Sequence, residues 1–333
     1  MIEYKSVAGQ QHYGDTVFPQ VLVNDGECRT VDDLCAWIAD NRESLESQVL
    51  AHGVLLMRGF AIESADDFDR VSQAFGYPNF TYKESLSNAV RINHTERVFT
   101  ANEAPPDLEI NLHNEMAQTP RYPERILFFC QSAAEQGGAT PVCRCDRLFD
   151  AIVGAEPELA EKFETLGVRY TNYMPDADNA QSGQGRGWRS TLGVSSVAEA
   201  EEKLAGLGYD WEWLAEGRLR VTTRALPAVL ILDDGRKVFF NQIVAAYLGW
   251  EGVRDDPSLA LTFGDGSDIP RTGLETVARL AEELSFDVPW QDGDLAIVNN
   301  YLAMHGRRPY AGARKRTVLV VLGAARENHL NAA

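Results

Sequence analysis

A chain of 333 residues with 44% hydrophobic content can bury a full core, as one large β domain or two small ones. Its formal net charge of −18 opposes binding to nucleic acid or to an anionic membrane surface. There is no apolar run of about eighteen residues and no apolar N-terminal signal region. The odd set Cys28, Cys35, Cys130, Cys143 and Cys145 suits a reducing compartment, so a soluble cytoplasmic protein is expected.

After an initial loop, apolar periodicity predicts an amphipathic helix over 31–52 with Thr30 as its N-cap. A strand over 54–60 follows. Ser64-Ala65-Asp66-Asp67 resembles a capping box and opens a helix ending near Gly76. Residues 81–104 read as irregular. The run Arg125-Ile126-Leu127-Phe128-Phe129-Cys130 is a buried strand, and Gly137-Gly138 turns into the next one. Helices are expected near 146–153, 157–166 and 196–207. Residues 172–188 are rich in Gly, Asn and Asp and read as a long loop, a candidate lid. Trp188 at its end either closes on a substrate or anchors the loop in the core. Strands over 228–232 and 237–241 flank the hairpin turn Asp233-Asp234-Gly235. An acidic loop over 255–268 leads to a helix over 274–284, and the last strands are 295–298 and 317–322. With no repeat, linker or clear boundary, the pattern predicts one domain over 1–333. It is mainly β with helical insertions, the largest a helical and loop segment at about 145–225.

The chemistry gathers around His113 and Glu115 in Asn111-Leu112-His113-Asn114-Glu115-Met116. Residues i and i+2 of a strand share a face, so one imidazole and one carboxylate can reach one metal ion. His305, from a distant strand, can complete the set. Two histidines and a carboxylate on one face of an octahedral ion leave three positions open, the arrangement of non-haem Fe(II) oxygenases. A lone His-x-Glu carries little, since about one such pair is expected by chance in this composition. Downstream, Arg314 and Arg316 share one strand face, and either could turn a guanidinium inward toward His305. A buried guanidinium finds its best partner in a carboxylate. A metal triad, a Thr hydroxyl and an inward Arg together are what 2-oxoglutarate needs.

These segments, with Phe239-Phe240-Asn241-Gln242, Gly293-Asp294-Leu295 and His305-Gly306-Arg307-Arg308-Pro309-Tyr310, resemble the TauD/TfdA (clavaminate-synthase-like) family of Fe(II)/2-oxoglutarate-dependent dioxygenases. The resemblance runs from about Val54 to about Gly323 and is nearest to the SyrP-like amino-acid hydroxylases. It implies His113, Glu115 and His305 as iron ligands and Thr140 as a cosubstrate contact. It places the cosubstrate arginine on Arg316 by distance from His305, with Arg314 as the alternative. Glu115 stands where the family more usually has Asp, which keeps the charge and the ligand atom. The β core with its insertion fits a double-stranded β-helix, or jelly roll.

The resemblance further implies O2-dependent hydroxylation with release of succinate and CO2. The substrate would be an amino acid or an amino-acid-derived small molecule, free or tethered to a carrier protein, in a biosynthetic pathway. Desaturation or cyclisation at the same site is the alternative; a carboxylate ligand disfavours halogenation. Asn241, Gln242 and Trp188 are the candidate substrate contacts, although an amide pair can equally satisfy strand-edge hydrogen bonds. Arg58 reads as a structural ion-pair residue and Gly293-Asp294 as a turn. A zinc hydrolase lacks its general-base motif here, and a non-catalytic binding module would not need three intact ligands.

Overall fold

The apolar runs that read as strands alternate between two buried faces, and this alternation builds the core. A computed structural model of the chain describes residues 1–80, 86, 91–178 and 186–324. Seven strands form the larger sheet, in the order Ile2–Tyr4, Gln20–Asn24, Val54–Arg58, Leu295–Asn299, Arg125–Ser132, Thr317–Gly323 and Phe99–Thr100. A four-stranded sheet runs Ser285–Val288, Thr140–Arg144, Ala303–Arg307 and Ile110–His113. Leu56, Ile126, Phe128, Ala296, Val318 and Val320 point from the larger sheet toward Val142, Phe286, Val288 and Ala303 of the smaller one. Their neighbours Leu55, Met57, Leu127, Phe129, Ile297 and Leu319 face the opposite way, onto Leu34, Ile38, Val49, Phe68 and Val71 of the helices. A strand buried on both faces has to be apolar throughout, hence the unbroken runs. The result is mainly β with helical insertions, a jelly-roll core as expected.

The helices obey their local signals. Thr30 and Ser64 each cap a helix, with Asp33 and Asp67 closing a capping box in return. The expected helix over 31–52 is in fact two, Val31–Asp40 and Arg42–His52, broken at Asn41. The Asn41 side chain donates to Trp37 O at 2.8 Å, and its own backbone leaves the helical region. Further on, Cys145–Ala155 and Pro157–Leu166 pack together, the second with proline at its first turn.

Several strands were not legible. The initial segment is not loop: Gln20–Asn24 pairs in parallel with Val54–Arg58. The insertion carries three strands of a further sheet, joined by Leu261–Phe263 from beyond it, in the order Asp210–Trp213, Leu219–Thr222, Val168–Met174 and Leu261–Phe263. The last of these lies inside the expected acidic loop, and residues 172–174 belong to a strand rather than to the expected loop. Both departures share a cause: these strands form through pairing between distant segments, with little local signal. An additional helix, Ile243–Gly249, buries Ile243, Val244, Ala246 and Tyr247. No helix among the described residues is long and apolar enough to cross a membrane.

Candidate active site

Antiparallel pairing of Ile110–His113 with Ala303–Arg307 sets His113 directly opposite His305, and the pairing of Thr140–Arg144 places Val142 beside His305 on its other side. The imidazole centroids are 4.4 Å apart. Glu115 reaches the same point by a route other than the expected strand alternation. The strand ends at His113, and Met116 has φ 59°, in the left-handed region that side-chain-bearing residues seldom occupy. Such a turn costs about 1–3 kcal/mol and must be held by its surroundings. Asn300 holds it: its Oδ1 accepts the Glu115 N–H at 2.7 Å, and its Nδ2 donates to Glu115 O at 3.0 Å and Pro123 O at 2.7 Å. Asn114, fully buried, donates in turn to Asn300 O and accepts the Asn241 N–H.

Glu115 Oε2 lies 3.4 Å from His305 Nε2 and 3.9 Å from His113 Nε2. The three ligand atoms fall within 4.8 Å of one another. His113 Nδ1 sits 2.8 Å from Asn111 O, so a proton on Nδ1 leaves the Nε2 lone pair open. Burial, reinforced by His305, pushes the His113 pKa down to about 4. Burial alone would raise that of Glu115, but Arg91 and the two histidines hold it well below the usual carboxylate range. Arg91 Nη2 lies 2.8 Å from Glu115 Oε1, the oxygen turned away from the histidines. A neutral imidazole and an ionised carboxylate are what a divalent transition metal requires, so the residues fit an iron ion.

Thr140 and Arg316 line the same cavity of about 1260 Å3 as the triad. Arg316 donates from Nε to Gly138 O at 2.8 Å and from Nη2 to Thr140 Oγ1 at 3.4 Å, while Trp290 Nε1 donates to Thr140 Oγ1 at 2.9 Å. Gly138 has φ 72°, and a Cβ there would stand 2.9 Å from Arg316 Cδ. Burial lowers the Arg316 pKa to about 10. Among the described residues no carboxylate lies in ion-pair reach of this guanidinium. Arg314, by contrast, is exposed, pairs with Asp292 and does not line the cavity.

The expected substrate contacts divide. Gln242 lines the cavity, with Nε2 donating to Asn114 O at 3.2 Å. Asn241 does not: it is fully buried, bonded to Ala228 O and to the Ile243 N–H, and serves the turn that holds Asn114. Trp188 takes the second of its two expected places. It is only 1% exposed, packs with Met174, Leu192, Leu204 and Leu219, and donates to Gly217 O at 3.1 Å. It anchors a core rather than facing the cavity, because the indole finds both apolar neighbours and an acceptor there. Of the candidate lid, Asn172, Tyr173 and Pro175 line the cavity, and residues 179–185 lie outside the described residues. Arg58 makes a bidentate pair with Asp294 at 2.9 and 2.7 Å, a structural role as expected. Sequence reasoning missed Arg91, Trp290 and Asn300; only the Asn299-Asn300 doublet offered any signal.

Comparison with known proteins agrees with this geometry. The model of the family described as taurine catabolism dioxygenase TauD, TfdA family matches residues 27–322. The chain is 35% identical to a clavaminate synthase-like protein of Arabidopsis thaliana over 312 residues, 92% of this chain and 94% of the relative. It is 28% identical to the dapdiamide synthesis protein DdaC of Enterobacter agglomerans over 289 residues, 81% of this chain and 82% of the relative. PvcB of Pseudomonas aeruginosa, described as an Fe, α-ketoglutarate dependent oxygenase from an isonitrile synthetic pathway, superposes with a TM-score of 0.53 at 15% identity. That match covers 92% of this chain and 86% of PvcB and shows a shared fold. The chain therefore belongs to the TauD/TfdA family and is an Fe(II)- and 2-oxoglutarate-dependent dioxygenase.

Proposed function

We infer that this dioxygenase hydroxylates an unactivated C–H bond of an amino acid or amino-acid-derived small molecule, free or carrier-tethered, in a biosynthetic pathway. The observation that carries the reaction is the convergence of His113, Glu115 and His305 beside a buried Arg316 that has no acid partner among the described residues. A relative named for dapdiamide synthesis supports the biosynthetic setting. With 2-oxoglutarate and O2, iron supplies the oxidising power that yields succinate and CO2 and places one oxygen atom on the substrate.

The protein's own residues prepare that step. His113, Glu115 and His305 would hold the iron through Nε2, one carboxylate oxygen and Nε2. Arg91 engages the other Glu115 oxygen, which favours one-oxygen ligation and leaves room around the metal. Arg316, with Thr140 beside it, would receive the distal carboxylate of 2-oxoglutarate, satisfying a guanidinium otherwise bonded only to neutral oxygens. Phe128, Val318 and Leu248 give the cavity apolar wall that keeps water from the reacting carbon. Because Glu115 supplies a third protein ligand, hydroxylation is favoured over halogenation; desaturation or cyclisation would use the same site.

The test is a screen of amino acids and their derivatives with Fe(II) and 2-oxoglutarate, following succinate above the uncoupled background and mass spectra for one added oxygen. One substrate should give both signals in equal amount. His113→Ala, Glu115→Ala and His305→Ala should each abolish them together with Fe(II) binding. Full turnover in any of the three variants would remove that residue from the ligand set.

A further inference from the structure

We propose that Arg218 and Arg254, together with Glu251, form a charged subsite that receives the carboxylate and ammonium groups of the substrate. The inference rests on the amino-acid reading above and names the residues that would select such a molecule. Most ionisable side chains of the cavity wall already have partners. Arg91 engages Glu115, and Glu109 pairs with Arg308. Arg307 donates to Ala104, Pro105 and Leu108 carbonyls, and Arg316 to Gly138 and Thr140. Arg218, Glu251 and Arg254 are exposed residues that line the same cavity, and none makes a side-chain hydrogen bond or ion pair among the described residues.

For an arginine, that condition is unusual in this molecule. The chain has 49 acidic and 31 basic residues, and nearly every described arginine has found a carboxylate or a carbonyl. Arg224 alone among the described arginines shares the state of Arg218 and Arg254. An isolated solvated arginine elsewhere on the surface needs no partner. Two that line one cavity from different elements suit recognition of a carboxylate. Placing cations there, in a protein of net charge −18, also counters the field that would otherwise repel an anionic group.

The scaffold beneath them is ordered. Arg218 directly precedes Leu219–Thr222, whose Leu219 pairs with Met174, so it lies at the same end of that sheet as the cavity-lining Tyr173 and Pro175. Glu251 and Arg254 follow the helix Ile243–Gly249, which contributes Ala245 and Leu248 to the wall. These elements differ from those carrying Thr140 and Arg316, so the two anion contacts are built independently. A cavity of about 1260 Å3 also exceeds the roughly 300–1,000 Å3 typical of one small ligand, leaving space for cosubstrate and substrate together. Two cations and one anion match a zwitterion better than a dianion, which Glu251 would repel.

The test is anaerobic calorimetry on the enzyme loaded with Fe(II) and 2-oxoglutarate. The probes are the standard L-amino acids, each as free acid, carboxamide and N-acetyl derivative. At least one free acid should bind, and its carboxamide should bind about tenfold or more weakly. Arg218→Gln/Arg254→Gln should weaken the free acid by a similar factor and leave the carboxamide little changed. Glu251→Gln should weaken the free amine form and spare the N-acetyl form. If the double arginine variant binds the free acid as tightly as the parent enzyme, this subsite is wrong while the amino-acid reading stands. If no member of the panel binds, the subsite falls, and with it the free standard amino acids as substrates, while derived or carrier-tethered substrates keep the proposed function.

Discussion

Arg91 grips Glu115 from behind: its Nη2 stands 2.8 Å from Oε1, while Oε2 of the same carboxylate faces His305 and His113. Both side chains are almost wholly buried. One carboxylate thus has one oxygen committed to a guanidinium and one presented to the metal position. Removing either partner would leave a buried charge uncompensated, which typically costs about 3–5 kcal/mol. Arg91→Gln should therefore lower the unfolding free energy of the metal-free protein by about that amount. Mn(II) or Fe(II) should recover part of the loss, because a dication then balances Glu115. Urea unfolding with and without metal checks this; an equal loss in both states would remove Arg91 from the metal centre.

Arg316 and Arg314 should separate cleanly in kinetics. Arg316→Ala should raise the KM for 2-oxoglutarate by about a hundredfold or more, since the distal carboxylate would lose its charge partner. Arg314→Ala removes only an exposed pair with Asp292 and should change that KM by no more than about twofold. The reverse pattern would mean that Arg314 is the cosubstrate contact.

The metal-free protein should lose stability as pH falls from about 6.5 to about 4. His113 has its folded pKa lowered from 6.5 to about 4 by burial and by His305. Between these values the unfolded chain binds a proton that the folded chain does not. Stability is therefore full above 6.5, rises with pH across the window, and is depleted by about 3 kcal/mol at its lower end. Glu115, depressed below its ordinary 4.5, adds to the loss from about pH 4.5 downward. Urea titrations at closely spaced pH values, with a chelator present, read the slope directly. A His113→Gln variant should show a shallower slope, and an unchanged slope would assign the effect to other groups.

Trp188→Ala should behave as a core truncation. The indole is buried against Met174, Leu192 and Trp213, its ring centroid 5.0 Å from that of Trp213. Loss of about 3–5 kcal/mol of stability is expected, with the KM for 2-oxoglutarate unaltered. A stable variant with impaired substrate binding would return Trp188 to the cavity.

What the sequence determined by itself was local or compositional. Runs such as 125–130 and 317–322 were apolar enough to be buried on both faces, and the structure uses both. Thr30 with Asp33 and Ser64 with Asp67 carried helix starts within four residues, so no tertiary information was needed. The ligand types His113, Glu115 and His305 could be matched to a metal because their chemistry is a property of the side chains alone.

Tertiary structure decided which neighbours those residues meet. Arg316 rather than Arg314 lines the cavity because the chain joins the sheet only at Thr317: Arg316 stands beside the first strand residue, while Arg314 sits in the exposed bend before it and pairs with Asp292. Glu115 reached the site through a left-handed turn held by Asn300, a residue 185 positions away. Arg91 came to the carboxylate from a stretch with no periodicity at all. The strands Val168–Met174 and Leu261–Phe263 became visible only once paired. In each case the deciding interaction joins segments distant in sequence, where short-range propensity has nothing to report.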